Sequence, residues 1–522
     1  MDSQHGPNHP EVQITSGPIC GRYFDDVARF SGIPYAAAPV GDLRFRPPQP
    51  VEPWTEVRDV GDPGCISPQN PNMMEMMFGG ESERWDEDCL YLNVWTAAEN
   101  LVDPIPSLPV MVWIHGGGFE MGSGSSPMYN GERFARNGTV FVTLNYRLGA
   151  LGFLDLSSLD PSYAESGNLG LLDQVQALEW VRDNIAQFGG NPDDVTVFGQ
   201  SAGSMSVSLL LSMERTTGLF SKAIAQSGGA VAARTPQGAA SDTAEFMAAG
   251  GWSTVDDVRS APAEALLAAH ASMSNERIAH PTEFARKAGT PLAFLAFRPV
   301  ADGVIVPTDP LAAIANGSAA GVNLVTGSTS EEWKLFALIT PTASTEDDLL
   351  HRYEALVADP AAALDTYQRE YPGASVADLE GALITDLVFR IPANQLADAQ
   401  SRHAEVYQYL WAWQSSAFGG MIGAAHAIEI PFVFDLVEDH RLHIFIGADA
   451  PASLAAATNE SWLTFAKTGS PATDTLGEWP TVDQPNRPTM VLNTESKLMH
   501  DPNALTREFW ETPAAARPSS QA

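Results

Sequence analysis

The 522 residues carry a net charge of −35, with 44% hydrophobic and 18% charged residues. That is enough apolar material for a sizeable core and too little charge for a disordered chain. So acidic a chain repels phosphate backbones and anionic bilayers, which argues against nucleic-acid and membrane partners. Only five of the 29 basic residues are lysines. No stretch reaches the ~18 apolar residues of a membrane span, and Met1-Asp2-Ser3-Gln4-His5-Gly6-Pro7 lacks the basic and apolar regions of a signal peptide. A cytoplasmic location is therefore expected. The three cysteines, Cys20, Cys65 and Cys89, show no metal-binding spacing, and His440 and His443 read as surface residues. No metal and no cofactor is expected. Length alone would allow three or four domains, but large α/β folds exceed that prior as one unit. The chain divides into a flexible N-terminus (1–11), one domain (12–512) and a flexible tail (513–522).

In chain order, Val12 to Pro53 is short and turn-rich and predicts an antiparallel meander. A Pro- and Met-rich loop runs from Cys65 to Cys89, followed by the strand Leu90 to Trp95. The apolar run Pro109 to Ile114 reads as a strand buried on both faces of a parallel sheet. It ends in His115-Gly116-Gly117-Gly118-Phe119, where consecutive glycines leave backbone N–H groups unshielded. Val140 to Leu144 is a further strand. Apolar residues at helical spacing from Leu171 to Phe188 predict a helix stopped by Gly189-Gly190. The turn Asn191-Pro192-Asp193-Asp194 then leads into the strand Val195 to Phe198. Alternation of this kind builds an α/β fold around a mostly parallel sheet with right-handed crossovers. Lys222 to Ser227 is another strand. Ala-rich helical insertions, with no linkers around them, are expected at about 241–288 and 344–400.

The pentad Gly199-Gln200-Ser201-Ala202-Gly203 stands between a β-branched run and Met205 to Leu211, which can wind as a buried helix. A tight strand-to-helix turn of this kind lifts a serine hydroxyl clear of the sheet, at the strand end where open α/β sheets place ligands. Ser201 is the candidate nucleophile. It requires a base and a third group to orient that base. His426, between small residues in Gly423-Ala424-Ala425-His426-Ala427, is the candidate base. The acid is sought in Val325 to Glu332, where a strand ends in a loop and Glu331 and Glu332 both qualify. The N–H groups of Gly117, Gly118 and Ala202 are candidate oxyanion donors.

These motifs together resemble the type B carboxylesterases, the family that includes the cholinesterases. Phe188-Gly189-Gly190-Asn191 through Gly203 resembles the serine signature, and Glu87-Asp88-Cys89-Leu90-Tyr91-Leu92-Asn93 a second one. Similarity continues from Gly32-Ile33-Pro34-Tyr35-Ala36 through Gly167-Asn168-Leu169-Gly170 and Asp302-Gly303 to the His426 region, over about residues 12–500. The resemblance implies an α/β-hydrolase fold with helical insertions over the active site. It makes Ser201 the nucleophile, Glu332 rather than Glu331 the acid and His426 the base, with Gly117, Gly118 and Ala202 as the oxyanion hole. Ser227 and Glu429 match polar positions that support the histidine. Arg44 with Glu87, and Arg147 with Asp173, match bracing ion pairs. Cys65 and Cys89 match a disulfide, with Cys20 free. Met73, Met74, Met76, Met77 and Phe78 fall in a segment that forms gorge wall in family members.

Three features set this chain apart from the family pattern. Gln200 replaces the usual glutamate beside the nucleophile, which removes a charge and is expected to leave the triad untouched. Trp333 follows the acid where glycine is usual. The choline-binding aromatic would fall near Gly79, and Trp85 is too close to Cys89 to replace it, so choline esters are not expected substrates. The expected function is a serine carboxylesterase acting on uncharged, small-molecule carboxylic esters through a Ser-His-Glu triad and an acyl-enzyme. The alternatives are a carbamate or amide hydrolase using the same triad and, since all three residues are present, more remotely a non-catalytic interaction protein. Monomer and homodimer stay open.

Overall fold

The computed structural model describes residues 9–71, 84–102, 107–288, 291–482 and 486–515. Its strands are β1 (Glu11–Ile14), β2 (Gly17–Cys20), β3 (Arg22–Phe24), β4 (Val27–Pro34), β5 (Arg58–Asp59), β6 (Tyr91–Ala97), β7 (Leu108–Ile114), β8 (Val140–Leu144), β9 (Gly190–Gln200), β10 (Lys222–Gln226), β11 (Asn323–Thr329), β12 (Val406–Trp411), β13 (Pro488–Leu492) and β14 (Lys497–His500). Among the described residues β1, β2 and β5 make a small sheet, and the others an eleven-stranded one ordered β14-β13-β12-β11-β10-β9-β7-β8-β6-β4-β3. From β13 to β8 every neighbouring pair is parallel. Only the two edges are antiparallel. This is the α/β-hydrolase architecture.

Both faces of the sheet are covered, and β7 displays the reason its sequence is continuously apolar. Successive side chains point to opposite faces, so Val110, Val112 and Ile114 join one buried cluster while Met111 and Trp113 join the other. Trp113 packs against Phe198 and Phe434, with ring centroids 4.9 and 5.1 Å away.

Helix α1 (Leu169–Asn184) tightens into a 3-10 turn at Ile185–Phe188 and stops at Gly189, whose φ of 84° suits glycine. The turn expected at 191–194 lies within β9: Gly190 pairs with Leu108, the register shifts, and pairing resumes at Val195 with Val110. The four intervening residues are absorbed as an irregularity because the strands on either side are already committed to the same partner. Helix α2 (Ala202–Ser212) follows β9. The insertions contain α3 (Pro236–Gly250), α4 (Ala263–Ala279), α5 (Val376–Thr385) and α6 (Ile391–Gln400). β12, β13 and β14 were not anticipated.

Both bracing ion pairs are present. Arg44 binds Glu87, and Arg147 grips Asp173 through Nη2–Oδ1 at 2.6 Å and Nε–Oδ2 at 2.8 Å. The second pair is buried, so removing one partner would strand a charge at a cost of about 3–5 kcal/mol.

The disulfide expected between Cys65 and Cys89 is not formed; all three cysteines are free thiols. Their surroundings differ. Cys89 is fully buried, which pushes its thiol well up, and it bonds Ser67, whereas the partly exposed Cys65 Sγ accepts from Arg84 Nε at 3.3 Å. Met73, Met74, Met76, Met77, Phe78 and Gly79 lie outside the described residues. Among the described residues no helix is long and apolar enough to cross a membrane.

Candidate active site

The pentad folds as the sharp turn its glycines predict. Ser201 has φ 59° and ψ −123°, a strained conformation between β9 and α2. The two glycines permit it because the Ile114 carbonyl presses on both: a Cβ on Gly199 would lie 2.6 Å from that oxygen, and one on Gly203 would collide with it. Ser201 N donates to Gln226 O at 2.9 Å, which ties the turn to the end of β10.

Across the sheet, β11 ends in Thr329 and delivers two adjacent glutamates to different places. Glu332 is fully buried; its Oε1 accepts from Thr329 N at 2.7 Å and its Oε2 lies 2.5 Å from His426 Nδ1. Glu331 instead meets Lys334 Nζ at 2.6 Å and accepts from Ala424 N at 2.8 Å. It braces the His426 loop from outside. Of the two carboxylates, Glu332 is the one that reaches His426, and Glu331 turns to Lys334 and Ala424. With Nδ1 held by a carboxylate, the imidazole presents Nε2 as an acceptor, as a general base requires.

The glycine loop after β7 faces the serine turn. Gly117 and Gly118 take φ values of 108° and 64°. The N–H groups of Gly117, Gly118 and Ala202 have no acceptor among the described residues. They are therefore free to receive a developing oxyanion. His115 opens the loop, stacked on Tyr146 at 4.5 Å, and burial lowers its pKa to about 4, so it is a neutral structural group.

Ser227 and Glu429 are buried nearby, but neither hydrogen-bonds His426. Among the described residues Ser227 Oγ has no partner, and Glu429 accepts from Gln226 Nε2 at 3.2 Å. Burial, aided by the charge of Glu332, pushes the Glu429 carboxyl up to about 8. Gln200, in contrast, does touch the candidate base: its Nε2 stands 3.2 Å from His426 Nε2 and 3.4 Å from Nδ1. The expectation that this substitution leaves the triad untouched is corrected, because the end of β9 turns the Gln200 side chain against the imidazole. Among the described residues Ser201 Oγ makes no hydrogen bond. Contacts of this kind are often loose without substrate.

Ser201, His426, Gln200 and the Gly117-Gly118 loop open onto a cavity of about 890 Å³. Its wall includes Met205, Leu295, Trp333, Phe336 and Phe389, of which only Trp333 was singled out in advance. Phe336 and Phe389 flank the His426 ring at 5.1 and 4.7 Å, and Trp333 stacks on Phe336 at 4.8 Å. No short-range spacing announces these contacts. Among the described residues no cluster of His, Cys, Asp or Glu could hold a metal ion.

The model of the carboxylesterase family matches residues 8–510. The chain belongs to the carboxylesterase family. Within that family it is 39% identical over 506 residues to the para-nitrobenzyl esterase of Bacillus subtilis, covering 96% of this chain and 98% of that one. It is 32% identical over 496 residues to the phenmedipham hydrolase of Pseudarthrobacter oxydans, covering 93% and 95%. A solved Geobacillus stearothermophilus carboxylesterase superposes with a TM-score of 0.84 at 36% identity, over 96% of this chain and all of that chain. This carboxylesterase is accordingly a carboxylic ester hydrolase whose substrates are small-molecule esters.

Proposed function

We propose that this carboxylesterase hydrolyses uncharged carboxylic esters through a triad of Ser201, His426 and Glu332, with Gly117, Gly118 and Ala202 as oxyanion donors. The observation that carries the reading is the buried Glu332 Oε2 to His426 Nδ1 contact of 2.5 Å, across the cavity floor from the strained Ser201 turn. His426 Nε2 takes the Ser201 proton as Oγ adds to the ester carbonyl. The tetrahedral oxyanion is held by the free N–H groups, each worth about 3 kcal/mol of transition-state stabilisation. Collapse breaks the bond to the leaving alcohol, which receives the proton from Nε2. Water, deprotonated by the same nitrogen, then releases the acid and restores Ser201.

The leaving oxygen has to stand at Nε2, beside Phe336 and Phe389, which favours aromatic or benzylic alcohols such as para-nitrobenzyl. Polar residues on the cavity wall mostly face one another, Arg352 against Glu380 and His270 against Glu120, which suits uncharged substrates. A series of p-nitrophenyl esters of increasing acyl length, with a matched aryl carbamate, tests the reading. Turnover of the esters that vanishes in Ser201→Ala is expected. Faster turnover of the carbamate would move the assignment to carbamate hydrolysis.

A further inference from the structure

Just past the glycine loop stands a buried carboxylate that the proposed mechanism leaves unused. The Glu120 side chain is only 10% exposed, on the wall of the cavity. Its Oε1 accepts from Ala296 N at 2.8 Å and Phe297 N at 3.3 Å. His270 Nε2, on α4, lies 3.0 Å from the same oxygen, at ion-pair distance but off the hydrogen-bond line. The His270 side chain and two backbone N–H groups of the segment that follows the first insertion thus converge on one oxygen of the cavity wall. A buried carboxylate stripped of its donors is costly, so these contacts strongly favour one arrangement of the two parts.

What that arrangement holds is the glycine loop. Leu295 immediately precedes Ala296 and packs on Gly118, where a Cβ would stand 2.8 Å from Leu295 Cδ2. Left-handed backbone runs from Gly117 through Gly118 to Phe119, the last with φ 64° and without glycine's freedom. Such a conformation persists only where its surroundings impose it. On the other side Gln69 grips both Gly122 N, at 2.8 Å, and Gly122 O, at 3.0 Å. Glu120 supplies the matching grip on the Leu295 side, through Ala296 N and Phe297 N.

We propose that Glu120 is a positioning residue for the oxyanion hole: by seating Leu295 on Gly118 it fixes the directions of the Gly117 and Gly118 N–H groups. This rests on the reading of those N–H groups as oxyanion donors. Wild type, Glu120→Ala, Glu120→Asp and Glu120→Gln are compared in p-nitrophenyl acetate hydrolysis and in inhibition by an aryl trifluoromethyl ketone. The ketone takes up a serine hydroxyl to form a tetrahedral oxyanion. Glu120→Ala should lower kcat about tenfold or more with little change in KM, and weaken the ketone by a similar factor. Glu120→Asp, one methylene short, should move both quantities the same way and carries the test if the alanine variant does not fold. Glu120→Gln, whose amide oxygen still accepts both N–H groups, should recover most of the loss. Unchanged kcat and ketone affinity in the folded variants, whatever happens to KM or Tm, would overturn the proposal. A wild-type enzyme that forms no ketone adduct would instead remove the oxyanion reading beneath it.

Discussion

At the floor of the cavity, Gly199 and Gly203 stand against one carbonyl oxygen, so neighbouring residues force the turn that presents Ser201. In the wall above it, Leu295, Phe336 and Phe389 come from distant stretches of chain, and Phe336 and Phe389 meet by ring stacking. A floor built from backbone contacts tolerates almost no change and can be read from short motifs. A wall built from packed side chains tolerates exchange of shape at modest cost, and carries the differences between relatives.

The largest break in that comparison comes from the floor. Glu332→Gln should cut kcat on the order of 10⁴-fold, since the imidazole loses the charge that orients it, while Glu331→Gln should cost far less. Steady-state kinetics of the two folded variants measures this, and the reverse ranking would reassign the acid. Gly203→Ala comes next. Its methyl would collide with the Ile114 carbonyl, so kcat should fall on the order of a hundredfold and Tm with it. Phe389→Ala, in the wall, should change KM for benzylic esters by about tenfold while acetates of small alcohols are turned over nearly as before. Equal losses on both substrates would erase the distinction between floor and wall.

Gln200 sits where the two regions meet. A carboxylate there would favour the imidazolium form of a base already facing Glu332, with the buried Glu429 behind it. Gln200→Glu should therefore move the acidic limb of the kcat/KM profile up by about one pH unit. A limb that stays where it is would mean that the 3.2 Å approach has no electrostatic weight.

The smallest effect is on stability. The Glu429 carboxyl is raised from 4.5 to about 8 in the fold, so the folded chain holds a proton that the unfolded chain releases. The stability this confers is fully present below about pH 4.5 and is lost as pH rises through about 8. Glu429→Gln stays neutral throughout, so its Tm should gain on wild type across that window. A Tm difference independent of pH would contradict the burial of an ionisable carboxyl at this point.

Legibility followed the same division. Strands β6 to β11, α1, α2 and the Ser201 turn could be read because periodicity and glycine placement act over a few residues. β12 escaped although Val406-Tyr407-Gln408-Tyr409-Leu410-Trp411 is rich in aromatic and β-branched residues, a usable strand signal. Residues alone left Glu331 and Glu332 equal, since which carboxylate turns inward depends on Lys334 and Ala424. Gln200 was noticed as a departure but not as a contact, because 226 residues separate it from His426. Phe336, Phe389 and Glu120 gave no signal, their partners being set by the tertiary packing.

The central claim is that the strained serine at the end of β9 is the nucleophile. Wild type and Ser201→Ala should both be treated with a fluorophosphonate and the adduct mapped by peptide mass spectrometry. One adduct per chain on Ser201, accompanied by loss of esterase activity and absent from the folded alanine variant, is the expected result. Stoichiometric labelling of any other residue together with inactivation, or a folded Ser201→Ala enzyme with near wild-type turnover, would contradict it.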